Sequence, residues 1–470
     1  MESFQRKDVV GVAMSGDVSQ FLSGNFAPIS MECEARHLPV QGELPRALRG
    51  TLYRNGPNPQ FPPDPTRHHW FLGDGMIHAF EIGDGRCTYR NRWVRTPKWQ
   101  AEDAAGRALE GAFDPRDDGG VANTNIVWHA GRLLALEEAH LPIELDPRSL
   151  ATRGAQRFGD ALGGPFTARP KTDPKTGELV FFAYSADGPF SPRMRYGIID
   201  GTGRVTRFEF FDAPYCSMVH DFAVTEHHVL FPVLPLTGSL DRARTSGLPF
   251  VWEPALGGHI GVVRRDQGVS SLRWFRAESC YVFHVLNAWE EDGKLFADVM
   301  QYDAPPLFPR ADGGPPAKAP ARLVRWSVDL AGNTDAIVRT PLDDLPGEFP
   351  RIDDRVAGLK NRFGAIAAST SAEDRGNAIA WFDFARGSRA LFVLPKGDAT
   401  SEPVFVPRAP DAAEGDGWLF AVVWRGEERR SDLIVLDAQG IERGPVAIVQ
   451  LAHRVPFGFH GNFVTAEAMS

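Results

Sequence analysis

The sequence is poor in cysteine and has no long apolar run. Its 470 residues include four cysteines, Cys33, Cys87, Cys216 and Cys280, with no Cys-x-x-Cys pair. This spacing indicates neither a disulfide framework nor a zinc site built from thiolates. No run approaches the ~20 apolar residues that span a bilayer, and the first residues lack the apolar segment of a secretory signal. We therefore expect a cytoplasmic protein without stable membrane insertion.

The chain also lacks a cluster of basic residues. Lys and Arg number 51 against 60 Asp and Glu, which gives a formal net charge of −9. Nucleic-acid binding requires a concentrated positive surface, so no nucleic-acid partner is expected. Neither Gly-x-Ser-x-Gly nor a phosphate-binding loop occurs, which argues against a serine hydrolase of the α/β type and a nucleotide-binding fold.

Turn residues are abundant. The chain has 47 glycines and 37 prolines, above the average of roughly 12% for the pair. Short apolar or alternating runs bounded by Gly, Pro, Asp and Asn predict strands joined by turns. The best helix candidates are short: residues 17–22, where Asp17 can serve as the N-cap, and residues 100–109.

A weak internal repeat runs through the predicted strands. A turn glycine, a polar or Trp position and an apolar strand recur at Gly131, Gly177, Gly293 and Gly417, and similar strands begin at His227 and Arg389. The step is irregular but often near the ~40–50 residues of one β-propeller blade. The alternative is a sandwich or barrel of unrelated hairpins. No clear linker divides the chain, so one domain over residues 1–470 is favoured over the three that length alone suggests.

Among the 13 histidines, His220, His284 and His460 are conspicuous because each has apolar or aromatic residues close by. Imidazole is a good ligand for iron, zinc, copper and nickel. Ligands so far apart in sequence would have to converge from different strands, and a lone histidine of this kind is more often a hydrogen-bonded core residue. From the residues alone, the function stays at a β-rich protein with a candidate histidine metal centre.

A series of motifs extends along nearly the whole chain. They lie at residues 48–59 (Leu-Arg-Gly-Thr-Leu-Tyr-Arg-Asn-Gly-Pro-Asn-Pro), 69–76 (His-Trp-Phe-Leu-Gly-Asp-Gly-Met), 122–124, 134–138, 173–178, 218–222 (Met-Val-His-Asp-Phe), 348–351 (Glu-Phe-Pro-Arg), 401–406 and 459–461 (Phe-His-Gly). In content and order they resemble the carotenoid-cleavage oxygenase family, and in particular its bacterial stilbene-cleaving, lignostilbene-type branch.

This resemblance implies an all-β fold, a seven-bladed β-propeller with a cap of loops and short helices, after an N-terminal extension of roughly residues 1–45. It also implies a non-haem Fe(II) dioxygenase that uses O2 to cleave the C=C double bond of a stilbene-like or related aryl-alkene or apocarotenoid substrate into two carbonyl products. The expected partners are thus a small aromatic alkene and O2, and the oligomeric state is left open.

The resemblance implies four histidine ligands for the ferrous ion, on the propeller axis. Three of these positions match His220, His284 and His460. Three glutamates of the family orient the imidazoles through the other ring nitrogen, and their positions match Glu138, Glu348 and Glu402.

The fourth ligand position departs from the family. The family motif is Ala-His-Pro-Lys, and this sequence has Arg169 in place of the histidine. Arginine has no available lone pair, and its charge repels a cation. In one alternative Arg169 turns aside and water fills the vacancy of a three-histidine site. In the other the protein is a catalytically impaired family member that keeps an aromatic-ligand pocket. A third hypothesis keeps the iron site but changes the reaction, for example to isomerisation or monooxygenase-type cleavage.

The positions that contact substrate also depart from the stilbene-cleaving branch. Where that branch holds a phenol oxygen with a tyrosine and a lysine, this sequence has Trp99 and Gly119, and Phe61 matches an aromatic lining position. Trp99 keeps a donor and an aromatic face but cannot polarise a phenol as a lysine–tyrosine pair does. The expected substrate is therefore a different aryl alkene, for example one without the 4-hydroxyl group.

Overall fold

A computed structural model describes residues 20–109, 118–371, 373–374 and 376–470. The strands up to residue 252 are β1 (Glu34–Ala35), β2 (Val40–Gly42), β3 (Gly50–Pro57), β4 (Gly75–Gly83), β5 (Arg86–Trp93), β6 (Asn125–His129), β7 (Arg132–Leu136), β8 (Ile143–Leu145), β9 (Thr152–Ala155), β10 (Lys171–Thr172), β11 (Leu179–Ala183), β12 (Arg193–Ile199), β13 (Val205–Asp212), β14 (Ala223–Val224), β15 (His228–Val233), β16 (Leu236–Gly238) and β17 (Phe250–Trp252).

The strands after residue 252 are β18 (Gly258–Arg264), β19 (Gly268–Ala277), β20 (Tyr281–Glu291), β21 (Lys294–Tyr302), β22 (Arg322–Asp329), β23 (Val338–Pro341), β24 (Gly347–Arg351), β25 (Phe363–Ala368), β26 (Ala378–Asp383), β27 (Ser388–Val393), β28 (Ala399–Thr400), β29 (Val404–Pro407), β30 (Gly417–Arg425), β31 (Arg430–Asp437), β32 (Pro445–Gln450) and β33 (Gly461–Thr465). The described α-helices are α1 (Pro97–Ala105) and α2 (Leu240–Ser246). Short 3-10 turns lie at Gln20–Leu22, Gly24–Phe26, Trp70–Leu72, Pro254–Leu256, Asp354–Val356 and Ile441–Arg443.

The strands form seven antiparallel sheets of four to six strands, which are the blades of a propeller, and one further two-stranded sheet, β16 with β17. Blade 1 contains β33, β3, β4, β5 and β1; blade 2 contains β6–β9; blade 3 contains β10–β13; blade 4 contains β14, β15, β18 and β19; blade 5 contains β20–β23; blade 6 contains β24–β27; blade 7 contains β28–β32 and β2. The predicted all-β, seven-bladed propeller is confirmed.

Burial decreases from the propeller axis outward in blade 5. Its innermost strand β20 is buried at nine successive positions, whereas its outermost strand β23 has no buried residue. The inner strand packs against neighbouring blades on both faces, so it reads as a continuous apolar run, while the outer strand meets water. The strand that carries His284 is thus shielded from solvent.

The ring is closed by strands from both ends of the chain. The last strand, β33, pairs with β3 as the innermost strand of blade 1. The early strand β2 pairs with β32 at the outer edge of blade 7. These pairings join both ends of the chain to the ring of blades. They also fix His460, the residue just before β33, near the axis.

Four long connections lie at one end of the propeller. Because strands within a blade alternate in direction, the connections β3–β4, β5–β6, β15–β18 and β21–β22 all lie where the innermost strands begin. They carry the turn Trp70–Leu72 and both helices. Phe308, in the β21–β22 connection, packs against the β3–β4 and β15–β18 connections, since its ring centroid lies 6.3 Å from those of Phe71 and Phe250. These connections are the predicted cap, and none of the described helices is long and apolar enough to cross a bilayer.

The local predictions are partly correct. The helix expected over residues 100–109 begins earlier, at Pro97, because Thr96 caps it by accepting a hydrogen bond from the amide of Trp99. Of the helix expected over residues 17–22, only 20–22 lie in the described chain, as a 3-10 turn.

The internal repeat matches the second strand of several blades. Gly131, Gly177 and Gly293 all have positive φ and precede the second strands of their blades, β7, β11 and β21. Gly417 is the first residue of β30, the second strand of blade 7. The strand near Arg389 is different, because β27 is the outermost strand of blade 6. Its equivalence to the others is therefore wrong.

A buried ring in blade 4 tests the packing between blades. Phe231 is fully buried, and its ring centroid lies 5.1 Å from that of Phe211 and 6.0 Å from that of Phe222. We expect Phe231→Ala to lower the free energy of unfolding by about 3–5 kcal/mol, because it removes this packing and leaves a cavity. Urea unfolding followed by tryptophan fluorescence measures the change. Phe210→Ala, at a ring that is 38% exposed, is the control, and an equal loss in both variants would contradict the expectation.

Candidate metal centre

Every blade contributes one predicted site residue near the axis. In blade order they are His460, Glu138, Arg169, His220, His284, Glu348 and Glu402. His460, Arg169 and His220 lie just before the innermost strands of their blades, and His284 lies within β20. The propeller therefore brings together residues that are up to 322 positions apart, from Glu138 to His460.

The three histidines meet through their Nε2 atoms. His284 Nε2 lies 3.2 Å from His220 Nε2 and 3.2 Å from His460 Nε2. All three residues are buried, and one ligand atom from each lies within 4.8 Å of the others. Three nitrogen donors this close together can hold one metal ion.

Each imidazole is held at its other ring nitrogen by a glutamate. His220 Nδ1 contacts Glu138 Oε1, His284 Nδ1 lies 2.5 Å from Glu348 Oε2, and His460 Nδ1 lies 3.0 Å from Glu402 Oε1. A carboxylate that accepts the Nδ1 proton leaves the Nε2 lone pair for a metal and fixes the plane of the ring. The pairs at His220 and His284 have this arrangement, whereas at His460 both Glu402 Oε1 and Arg169 Nη1 lie within hydrogen-bond distance of Nδ1.

Close backbone packing positions His460. Gly56 and Gly458 face each other so closely that a Cβ on Gly56 would lie 2.6 Å from Gly458 Cα. The chain before β33 therefore runs directly over β3, where the His460 carbonyl accepts from the amide of Asn55 at 2.9 Å. Side chains at either glycine would push His460 away from the axis.

Asp221 ties His220 to the strand that carries His284. Its carboxylate accepts one hydrogen bond from the amide of Phe222 and another from the amide of Val285, both at 2.9 Å. His220 directly precedes Asp221, and His284 directly precedes Val285. Asp221 therefore fixes the distance between their backbones.

The protonation state of two of the rings suits metal binding. Burial lowers the pKa of His284 and of His460 well below the usual value, and neighbouring cations lower both further. Both rings are therefore neutral near pH 7. A neutral imidazole has the lone pair that a metal needs, so the donor set fits a divalent transition metal.

Glu348 is the carboxylate least suited to its charge. Burial raises its pKa to about 7 from the usual value of 4.5. Between pH 4.5 and pH ~7 the Glu348 carboxyl group is therefore ionised in the unfolded chain but still protonated in the folded chain. The contribution of Glu348 to stability is therefore full below pH ~4.5 and is lost as the pH rises through ~7.

The metal-free protein should show this dependence. We expect its free energy of unfolding, measured relative to Glu348→Gln, to fall by about 3 kcal/mol in total as the pH rises from 4.5 to above 7, because each unit of pKa shift is worth about 1.4 kcal/mol. Urea unfolding of both proteins over this pH range, with a chelator present, measures the difference. A constant difference over the range would contradict the expectation.

Arg169 is buried among acidic groups and one histidine. Its Nη1 lies 2.8 Å from His460 Nδ1 and 3.4 Å from Glu402 Oε1, and its Nε lies 3.5 Å from Asp221 Oδ2. Lys171 also binds Asp221, with Nζ 2.7 Å from Oδ1. Burial alone would raise the pKa of Asp221, but the two cations hold it at about 2, while burial lowers the pKa of Lys171 to about 8.

Aromatic rings surround the histidine cluster. Phe349 packs against two of the ligand candidates, with centroids 5.2 Å from His284 and 5.6 Å from His460, and Phe283 lies 5.9 Å from His220. The backbone of Phe349 has a φ of 54°, a strained conformation for a bulky residue that is typical of functional sites. The walls of the site are thus apolar and aromatic.

On the side of the cluster away from the cap, a cavity of about 430 Å³ follows the axis. Arg169, Lys171 and Arg351 line it, together with Asn125 and Asn462. Charged side chains therefore reach the axis on this side of the histidine cluster.

The predicted substrate residues lie in the cap or next to it. Trp99 is a buried residue of α1, 6.4 Å from Trp93 between ring centroids, and its Nε1 has no hydrogen-bond partner in the described chain. Phe61 is half-buried in the β3–β4 connection, and Gly119 is buried before β6. Their contact with a substrate stays a prediction.

Some residues of the site were missed by sequence reasoning. Asp221, Lys171 and Arg351 stand inside quoted motifs, but their charges were given no role. Arg169 and Lys171 are two residues apart, which places both on one face of an extended segment, and this spacing was the available signal. Tyr184, whose hydroxyl donates to Glu138 Oε2 at 2.6 Å, carried no signal in the sequence.

A family model described as retinal pigment epithelial membrane protein matches residues 26–465. The chain belongs to this family of carotenoid oxygenases. Its members include an isoeugenol monooxygenase of Pseudomonas nitroreducens, which is 41% identical over 94% of this chain and 97% of that protein. They also include lignostilbene-alpha,beta-dioxygenase isozyme III of Sphingomonas paucimobilis, which is 35% identical over 95% of this chain and 97% of that protein.

A solved structure of the same family has the same fold. The lignostilbene dioxygenase of Pseudomonas brassicacearum superposes with a TM-score of 0.91 at 34% identity, over 96% of this chain and 100% of that one. The reported relatives are named as a monooxygenase and dioxygenases. The predicted oxygenase of the carotenoid-cleavage family is thereby confirmed, and the alternative of a catalytically impaired member is not favoured.

Proposed function

We propose that this carotenoid oxygenase is a non-haem iron enzyme that cleaves the C=C double bond of an aryl alkene with O2. The convergence of three histidine Nε2 atoms, each ring held by a glutamate, carries the proposal. In it, His220, His284 and His460 hold Fe(II), and Glu138, Glu348 and Glu402 orient them. Bound Fe(II) would supply the activation of dioxygen.

The surroundings of the site support an aromatic substrate. Phe349 and Phe283 lie against the ligand histidines, and Phe459, next to His460, packs on Phe71 of the cap with centroids 5.7 Å apart. Such rings exclude water and bind a flat aromatic ligand by stacking. Trp99 Nε1, a buried donor without a partner in the described chain, suits an oxygen on that ligand.

The atoms balance for cleavage without a further reductant. One C=C bond and the O–O bond are broken, and two C=O bonds are formed, so both oxygen atoms of O2 end in the two carbonyl products. A monooxygenase-type cleavage, in which only one product oxygen comes from O2, is the second candidate. The 41% identity to an isoeugenol monooxygenase favours keeping it.

The test is a reconstitution with Fe(II) under anaerobic conditions, followed by exposure to 18O2 with an aryl-alkene panel. The panel contains a 4-hydroxyphenylpropene, a hydroxylated stilbene, an unhydroxylated stilbene and an apocarotenoid, and the Zn(II)-loaded protein is the control. We expect aldehydes from an aryl alkene with label in both products. Label in one product supports the second candidate. Iron bound without cleavage of any member contradicts the proposal. The cytoplasmic location stays a prediction.

A further inference from the structure

Arg169 occupies one ring nitrogen of His460. Its Nη1 lies 2.8 Å from His460 Nδ1, and both side chains are buried, at 8% and 1% exposed. A guanidinium has five N–H donors, has no acceptor and stays protonated in proteins. His460 Nδ1 therefore accepts this hydrogen bond, and the single proton of the neutral ring lies on Nε2.

That position of the proton is the opposite of the one a metal requires. His460 Nε2 lies 3.2 Å from His284 Nε2. In the tautomer that the Arg169 hydrogen bond requires, His460 Nε2 carries the proton and donates to His284, so it has no lone pair for a metal ion. When a metal binds Nε2, the proton belongs on Nδ1, where Glu402 Oε1 at 3.0 Å is the acceptor. Arg169 must then leave, because two N–H donors would face each other.

Asp221 offers Arg169 a second partner. Arg169 Nε lies 3.5 Å from Asp221 Oδ2 and is a buried donor with no hydrogen bond in the described chain. A buried donor without a partner is costly. A shift of the guanidinium toward Asp221 gives Nε its hydrogen bond and at the same time frees His460 Nδ1 for Glu402. Asp221 accepts both cations in this arrangement, since Lys171 binds its other oxygen.

We propose that Arg169 is a metal-loading switch with two alternative partners. In the metal-free protein it donates to His460 Nδ1. In the loaded protein it pairs with Asp221, and Glu402 accepts the Nδ1 proton of His460. The inference rests on the proposed metal centre. In it Arg169 is a positioning residue that acts through His460 and lowers the affinity for a divalent metal by competing for that ring.

The position of the ring proton tests the switch directly in the native protein. Nitrogen-15 NMR of histidine-labelled protein distinguishes a protonated from an unprotonated ring nitrogen, and the His460 signals are assigned by their loss in His460→Gln. We expect Nε2–H in the metal-free protein and Nδ1–H after addition of Zn(II). In metal-free Arg169→Met we expect Nδ1–H, whereas Arg351→Met, which removes another arginine from Glu402 (Nη1–Oε2 3.2 Å), leaves Nε2–H. An Nδ1 proton in the metal-free native protein overturns the proposal.

Metal affinity separates this inference from the proposed function. Titration with Co(II), followed by its visible absorption, should give a dissociation constant about 10–100-fold lower for Arg169→Met than for the native protein, the range typical of changes around a metal ligand. An unchanged affinity, with binding still lost in His284→Ala, overturns the switch and leaves the metal centre standing. No binding by any of these proteins overturns the proposed metal centre and the switch with it.

Discussion

We expect the substitution of His284 by alanine to abolish metal binding and alkene cleavage. His284 Nε2 lies 3.2 Å from each of the other two Nε2 atoms, so it is the central member of the cluster. Its loss leaves two ligands and also leaves Glu348, whose pKa burial raises to about 7, without its imidazole partner. We expect the bound iron, measured after gel filtration, to fall below about one hundredth of the native content, beyond the 10–100-fold typical of outer residues.

A matched control separates ligand loss from the loss of a buried histidine–glutamate pair. His228 also contacts a glutamate, with Nδ1 3.0 Å from Glu290 Oε1, but lies at the start of β15 and away from the cluster. We expect His228→Ala to keep the native iron content and aldehyde yield. If both variants lose iron equally, the cluster is not the metal centre. Circular dichroism on both variants checks that the propeller has formed.

The fold could be anticipated from the sequence to the level of architecture. Turn glycines before apolar strands appear at the same place in several blades, because every blade repeats one antiparallel meander. The number of blades came from the family resemblance and not from this repeat. The strand near Arg389 shows why: its apolar pattern is like the others, but β27 lies at the outer edge of its blade. An apolar run does not reveal its position within a sheet.

The candidate site was predictable in its residues but not in its hydrogen bonds. The three histidines and three glutamates matched family positions, and the fold brings all six together. The partners of Arg169 could not be found in the same way. Asp221 follows His220 directly, yet its contact with Val285 and Arg169 depends on how blades 3, 4 and 5 pack around the axis. Long-range packing of this kind is absent from local sequence patterns.

These hydrogen bonds change what the replacement at position 169 means. Repulsion alone would predict that Arg169 turns away from the cluster. Instead, its guanidinium lies against the ring of His460, because Glu402 and Asp221 on either side compensate its charge. Lys171 and Arg351 share the same two carboxylates. The two carboxylates thus compensate the charge of the arginine, and its contact with Nδ1 affects His460.

Restoring a histidine at position 169 should therefore have two effects on the metal. Arg169→His removes the donor that occupies His460 Nδ1, and it places a fourth imidazole at the position that carries a ligand in the family. We expect a Co(II) dissociation constant at least about 100-fold lower than that of the native protein, above the effect of removing an outer residue alone. The visible spectrum of bound Co(II) should also change, because the number of nitrogen ligands increases.

Arg169→Met is the comparison that separates the two effects, since it removes the donor without adding a ligand. If Arg169→His and Arg169→Met bind Co(II) with the same affinity and the same spectrum, the new imidazole does not reach the metal. The gain then comes only from releasing His460 to Glu402, whose Oε1 lies 3.0 Å from the ring. If Arg169→His binds more tightly and its spectrum differs, the new imidazole binds the metal. The propeller then still has the backbone geometry of a four-histidine site at position 169, although the native arginine cannot act as a ligand.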